Sequence, residues 1–212
     1  MLATRERFTS CCQRLGAQDN PKRGRTIDGT YDELLAAYTA PDRHYHNLGH
    51  INDGLEKLDE VRHLLEDPDA VEMAWWWHDF VYNTASRTNE YESALAADLI
   101  LFELGVKTAR RNKMVWLIMP TKHDRIPTGN DQRYMVDIDL ASLGTVPEVF
   151  DQNTANIRKE YAWVPDDDFR TGRADFFRKM LEGRPSGVIY LTDYFRERYE
   201  AQAQENLKRI IS

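Results

Sequence analysis

RHYHNLGHINDGLEKLDEVRHLL, residues 43–65, carries two patterns at once. Ile51, Leu55, Leu58, Val61 and Leu65 recur at three- and four-residue steps, the apolar stripe of an amphipathic helix. The front of the same stretch holds His44, His46 and His50 within seven residues. If the helix extends back over them, His46 and His50 stand at i and i+4, rotated by about 40° and about 6 Å apart along the axis, facing one pocket. The plainer alternative is a polar helix start whose histidines cap backbone groups or meet solvent.

Helical period continues on both sides. Phe8, Cys12 and Leu15 share one face near the start, and YDELLAAY (31–38) reads as a second helix. Downstream, Asp67-Pro68-Asp69 is a start signal for AVEMAWWWHDFVY (70–82). NEYESALAADLILFELG (89–105) ends at a glycine suited to a helix C-terminus. Thr108 is placed to cap the next helix, with a kink expected at Pro120, and RIPTGND (125–131) is a loop. A helix over 132–143 stops at Gly144, and Pro147 occupies the first turn of its successor. Two or three further helices fill the tail, among them 167–181 and 192–211. GVIYL (187–191) is the single short β-rich run, and one strand cannot make a sheet. There are no repeats, low-complexity tracts or Gly/Ser linkers. The expectation is one all-helical domain over 1–212, with the C-terminal helices packed on the same body.

The chain has 212 residues, 42% of them hydrophobic and 30% charged, an ordinary globular balance with material for a sizeable core. No stretch approaches the roughly 20 apolar residues needed to span a bilayer, and the N-terminus lacks a signal-peptide pattern. Cys11 and Cys12 are adjacent, a strained arrangement for a structural disulfide, which points to a reducing, cytoplasmic location. The formal charge of −7 argues against a nucleic-acid polymer as partner and leaves a small molecule as the expected one. Oligomeric state is not readable.

The chemistry concentrates in three places. His78-Asp79 follows three consecutive tryptophans, so the dipeptide is expected to be buried, and an ionised carboxylate there needs a cation or donors. A divalent metal is the economical partner for imidazole nitrogen and carboxylate oxygen. A second His-Asp pair, His123-Asp124, runs straight into a polar loop, so the metal doublet is assigned to 78–79, and His123 becomes a candidate for a second metal or the substrate. MVDIDLASLG (135–144) places Asp137 and Asp139 about 200° apart on a helix, so one of them faces the site. Asp139 is the choice, with Asp137 supporting the site or meeting solvent.

A histidine, then His-Asp, then a distant aspartate, all on helices, resembles the ligand order of the HD superfamily of metal-dependent phosphohydrolases. The match falls on His50, His78, Asp79 and Asp139. More narrowly, YHNLGHI, WWWHDFVYN, TNEYESA, TKHD and DIDLASLG resemble, in order, the blocks of a group described as predicted metal-dependent HD phosphohydrolases, over about 43–144. YHNLGH also resembles the Tyr-His-Asn-x-x-His block of cyclic-nucleotide phosphodiesterases, which implies a proton-donating role for His46 and a metal-binding one for His50. No counterpart of the glutamine pocket of those enzymes is found, so cyclic-nucleotide specificity is not implied.

The resemblance implies an all-α HD bundle and a divalent metal (Mn, Mg, Ni, Co, Fe or Zn). The implied reaction is hydrolysis of a small phosphate ester, with a nucleotide as one candidate, by metal-activated water. Asp79 or Asp139 would take the proton of the water, and His46 would protonate the departing oxygen. Glu90 is a candidate for orienting a ligand or water, or simply a helix-start acid. Arg43, Lys122 and His123 are candidates for the substrate, with unpaired surface charge as the alternative for the two basic side chains. Three other readings stay open: an HD-type di-iron oxygenase drawing on His123 and Glu90, a non-catalytic nucleotide-sensing HD module, and a helical interaction protein whose motifs are coincidental.

Overall fold

A computed structural model describes residues 2–211. Ten α-helices follow one another: α1 (Arg5–Arg14), α2 (Ile27–Tyr38), α3 (Leu48–Val61), α4 (Pro68–Trp77), α5 (Asn89–Glu103), α6 (Thr108–Ile118), α7 (Asn130–Leu140), α8 (Pro147–Glu160), α9 (Asp166–Glu182) and α10 (Asp193–Ile211). Among the described residues there is no β-strand, so the all-helical expectation holds. No helix is long and apolar enough to cross a membrane.

The order of burial explains the architecture. In α4 every residue from Ala70 to Trp77 is buried. A helix apolar on all sides belongs at the centre, and α4 packs against α1, α3, α6 and α7. The stripe that opened the sequence holds on α3 for Ile51, Leu55, Leu58 and Val61, which are buried, whereas Leu65 lies beyond the helix, in extended conformation after the 3-10 turn Arg62–Leu64. Gly54 of α3 is what lets the two helices approach: a methyl group there would lie 1.9 Å from the Trp75 ring.

The helix starts follow local chemistry. The Asp67 side chain accepts from the Ala70 N–H with Pro68 next in line, and Pro147 stands in the first turn of α8. Past the end of α5, Gly105 adopts φ 80°, the left-handed conformation that a side chain would resist.

Four boundaries differ from expectation. α3 begins at Leu48, because Asn47 is in extended conformation and its Oδ1 caps the Gly49 N–H at 2.7 Å. His46 is therefore outside the helix, and the i, i+4 relation to His50 does not apply. α4 ends at Trp77, which puts His78 at its C-cap rather than inside an apolar helix. Thr108 is the first residue of α6 and makes no cap bond. α7 starts at Asn130 and tightens into a 3-10 turn over Ala141–Gly144.

Residues 187–191 are not a strand. The N–H groups of Ile189 and Tyr190 go to the Glu200 carboxylate, and those of Leu191 and Thr192 to Asp137. Side-chain acids take the bonds a neighbouring strand would have taken. Cys11 and Cys12 are both buried and unpaired, and burial pushes the Cys12 thiol up to about 12.

Candidate metal centre and cavity

Three chain ends converge on one point. His50 comes from the first turn of α3, His78 and Asp79 from the turn that ends α4, and Asp139 from the last turn of α7. The Nε2 atoms of His50 and His78 are 3.3 Å apart. Asp139 Oδ1 lies 3.3 Å from His50 Nε2 and 3.6 Å from His78 Nε2. Asp79 Oδ2 lies 3.1 Å from His78 Nε2 and 3.7 Å from His50 Nε2. Ligand atoms of His50, His78 and Asp139 all fall within 4.8 Å of one another, a group able to hold a metal ion, and Asp79 stands beside its imidazoles. Donors about 2.1 Å from one ion stand roughly 3.0–3.4 Å from each other, so this spacing suits a shared cation.

The protons say the same. His78 Nδ1 donates to the Trp75 carbonyl at 2.9 Å, so Nε2 is the nitrogen that offers a lone pair to the cluster. With two carboxylates this close, that nitrogen is driven to carry positive charge, from a proton or from a metal ion. Burial works against charge on His78, yet Asp79 and Asp139 outweigh it and hold its pKa well above the ordinary value. Burial likewise opposes ionised Asp79 and Asp139, and the surrounding imidazoles reverse it, lowering both.

Trp75 braces the imidazoles. Its ring stacks on His78 at 4.2 Å between centroids and meets His50 at 5.0 Å, while its Nε1–H donates to the Ile51 carbonyl. Arg43, expected near a phosphate, is turned to another task. Its guanidinium donates to the carbonyls of Asp79 at 2.6 Å, Phe80 at 2.7 Å and His46 at 3.2 Å. It thereby satisfies carbonyls beyond the C-terminus of α4 with a cation, the favoured charge at that end. Arg43 does not line the cavity beside the cluster.

His46 reaches the site from the turn before α3. Its ring stands 5.8 Å from that of His50 and stacks on Tyr82 at 4.3 Å. Its Nδ1 pairs at 2.7 Å with Glu160, the last residue of α8. Glu160 also accepts from the N–H groups of Tyr45 and His46 and from the Tyr82 hydroxyl. With Nδ1 committed to Glu160, the other ring nitrogen is the one available to a ligand. Sequence reasoning missed Glu160, which sits 114 positions from His46 with no local motif.

On the opposite side, His123 Nε2 lies 2.9 Å from Asp139 Oδ2, so the two oxygens of Asp139 face different imidazoles. His123 holds a left-handed backbone, φ 58°, and its buried Nδ1 has no hydrogen-bond partner. Lys122 pairs with Asp124 at 3.1 Å. Glu90 is half-buried, and its pKa is raised by burial, with Asp79 adding to the effect and His123 and Lys122 opposing it. Asp137 neither meets solvent nor supports the cluster. It is fully buried, accepts from Leu191, Thr192 N–H and Thr192 hydroxyl, and burial raises it to about 6 against those donors.

His46, Asp79, Glu90, Lys122, His123 and Asp139 all line one cavity of about 590 Å³, a size suited to a small organic ligand. Its far wall comes from α8, α9 and their connection. No family model, curated protein or solved structure matches this chain, so the geometry of the cavity carries the functional reading.

Proposed function

We propose that the chain is a metal-dependent phosphohydrolase of the HD type acting on a small phosphate ester. One observation carries this reading: two imidazole nitrogens and the Asp139 carboxylate, from three separate helix ends, meet at spacings that fit a single divalent ion, with Asp79 beside the imidazoles. The order of those residues along the chain is that of the HD superfamily, which supports the same conclusion.

A divalent ion held there supplies a lowered pKa for a coordinated water and polarises a phosphoryl oxygen. His50, His78, Asp79 and Asp139 would hold it, and mixed nitrogen and oxygen donors admit Mn, Fe, Co, Ni, Zn or Mg. Asp79 and Asp139 are the carboxylates placed to accept a proton from the attacking water. His46 is placed to give one to the departing oxygen from the nitrogen that Glu160 leaves free. The Trp75 ring and the Arg43 clamp keep the His78-Asp79 turn rigid, so little reorganisation accompanies the reaction.

The second reading is a two-metal oxygenase. It is favoured by the bridging posture of Asp139, with His123 on its second oxygen and Glu90 in the same cavity. One experiment separates the two. Purified protein is assayed for metal content and, under nitrogen and in air, for phosphate release from nucleotides and sugar phosphates with each divalent metal. The hydrolase releases phosphate without oxygen. Oxygen consumption without phosphate release, from protein carrying two irons, sinks the hydrolase and installs the oxygenase. Nucleotide binding with neither reaction would leave a sensing module.

A further inference from the structure

The cavity contains a cation that the reaction outlined above does not use. Residues Phe169, Gly172, Arg173, Phe176 and Phe177 of α9 line it, one face of that helix. Among the described residues Arg173 makes no hydrogen bond and no ion pair, and its Nε is shut off from solvent without a partner. Its guanidinium lies over the Phe177 ring at 5.1 Å. Burial lowers its pKa, and the groups that counter this are the tyrosines Tyr45, Tyr161 and Tyr82, not a carboxylate. Other enclosed arginines all have partners: Arg7 meets Asp59 and Glu72, Arg111 meets Asp98, Arg158 meets Asp166, and Arg43 and Arg184 donate to backbone carbonyls.

Leaving a guanidinium half-enclosed and unpaired is costly, and the site gains only if an anion arrives. Its place identifies the anion. Tyr45 and Tyr82 flank the His46 ring at 4.8 and 4.3 Å, and all three line the same cavity as Arg173. The wall that α8 and α9 supply is mostly apolar, with Phe150, Ile157, Phe169 and Phe176 beside the polar Asn153 and Asp168.

We propose that Arg173 is the oxyanion-binding residue of this cavity, and that its ligand is an organic phosphate whose remaining part is apolar or aromatic. The proposal deepens the phosphohydrolase reading and rests on it for the word substrate. The anion site itself needs only the cavity. A planar guanidinium can grip two phosphoryl oxygens at once, while the rings of α8 and α9 take the organic group out of water.

The test uses the full chain, titrated calorimetrically with inorganic phosphate and with phenylphosphonate, whose P–C bond replaces the ester P–O bond that a phosphatase cleaves. Phenylphosphonate is expected to bind about 10-fold more tightly than phosphate. Arg173→Met should weaken both by about 10- to 100-fold, Arg173→Lys should recover part of the loss, and Phe176→Ala should weaken phenylphosphonate alone. Because Arg173→Met removes an uncompensated charge, its melting temperature should stay level or rise.

Phosphate binding unchanged in Arg173→Met, or absent from the wild type, overturns the proposal. So does a lowered melting temperature with binding intact, which would make Arg173 a packing residue. Equal affinity for the two probes overturns the apolar half. Arg173-dependent binding without turnover of any ester leaves the anion site standing and removes the hydrolase instead.

Discussion

Buried carboxylates occur in two kinds here, and the contrast between them separates structure from function. Glu72, on α4, is almost fully enclosed and receives Arg7 at 2.9 Å, Arg14 at 3.2 Å and Arg62 at 2.7 Å. Asp131 accepts the N–H groups of Glu66 and Asp67 and pairs with Lys113. Asp137 collects three donors from residues 191–192. Each of these acids is answered by donors that always carry their protons, and each ties distant segments together. Asp79 and Asp139 are answered by imidazole nitrogens, groups that can hold either a proton or a metal ion. A fold that saturates three acids with permanent donors meets these two with imidazoles, side chains that a metal ion can share. The same rule seen from the opposite charge picks out Arg173.

The largest test of that contrast removes the cluster. His78→Ala/Asp79→Ala should lose bound metal and lower kcat by at least about 10³-fold, because several kcal/mol of charge stabilisation at the transition state depend on the ion. Elemental analysis and turnover should fall together while the far-ultraviolet spectrum stays helical. Full metal content in this variant would place the ion elsewhere.

The mirror experiment removes a saturated acid. Asp137→Ala strands three donors, and at roughly 1–3 kcal/mol for each buried unsatisfied group the loss should be about 3 kcal/mol or more. It should appear as a lower urea midpoint with metal stoichiometry per folded molecule unchanged. If Asp137→Ala kept its stability but shed metal, the division between the two kinds of acid would collapse.

Between these extremes lies the brace. Gly54→Ala puts a methyl group into the Trp75 ring, which holds both His50 and His78. Overpacking of this sort costs about 1–3 kcal/mol, and disturbing the support of a ligand costs about 10- to 100-fold in metal affinity. Metal titration of the variant, beside its melting curve, should show both effects. A stability loss with native metal affinity would mean that Trp75 only fills space.

The sequence disclosed whatever is written locally or periodically. The α3 stripe, the Asp67-Pro68 start, the Gly105 stop and Pro147 are local statements, and the structure has a helix along the first and a helix end at or beside each of the others. His50, His78 and Asp139 could be nominated because buried polar residues stand out against apolar helices. What escaped depends on the partners met after folding. Arg43 looked like a phosphate ligand because a sequence does not show free carbonyls, and it caps three of them. Helical spacing rightly separated Asp137 from Asp139, but not that Asp137 would find its own donors 54 residues away. Glu160 and Arg173 lie in helices that carry no motif, and only the closing of α8 and α9 over the cavity gives them a role.

The smallest predicted effect tests Glu160, which belongs to both kinds of acid at once: it accepts backbone N–H groups as a structural acid does, and it meets an imidazole as a site acid does. Glu160→Gln should lower kcat by about 10-fold with metal content intact, since it loosens the orientation of His46 rather than removing it. Its pH signature is distinctive. Burial alone would raise the pKa of Glu160, but the His46 hydrogen bond and charge, with the N–H groups of Tyr45 and His46, bring it below the usual value. An acid whose pKa is depressed by folding contributes stability that is present above its unfolded value, near 4.3, and lost as pH falls through the folded one. Urea midpoints of wild type and Glu160→Gln should therefore differ at pH 6 and converge toward pH 3.5. A gap that persists or widens in acid would show that the ionised carboxylate is not what holds His46.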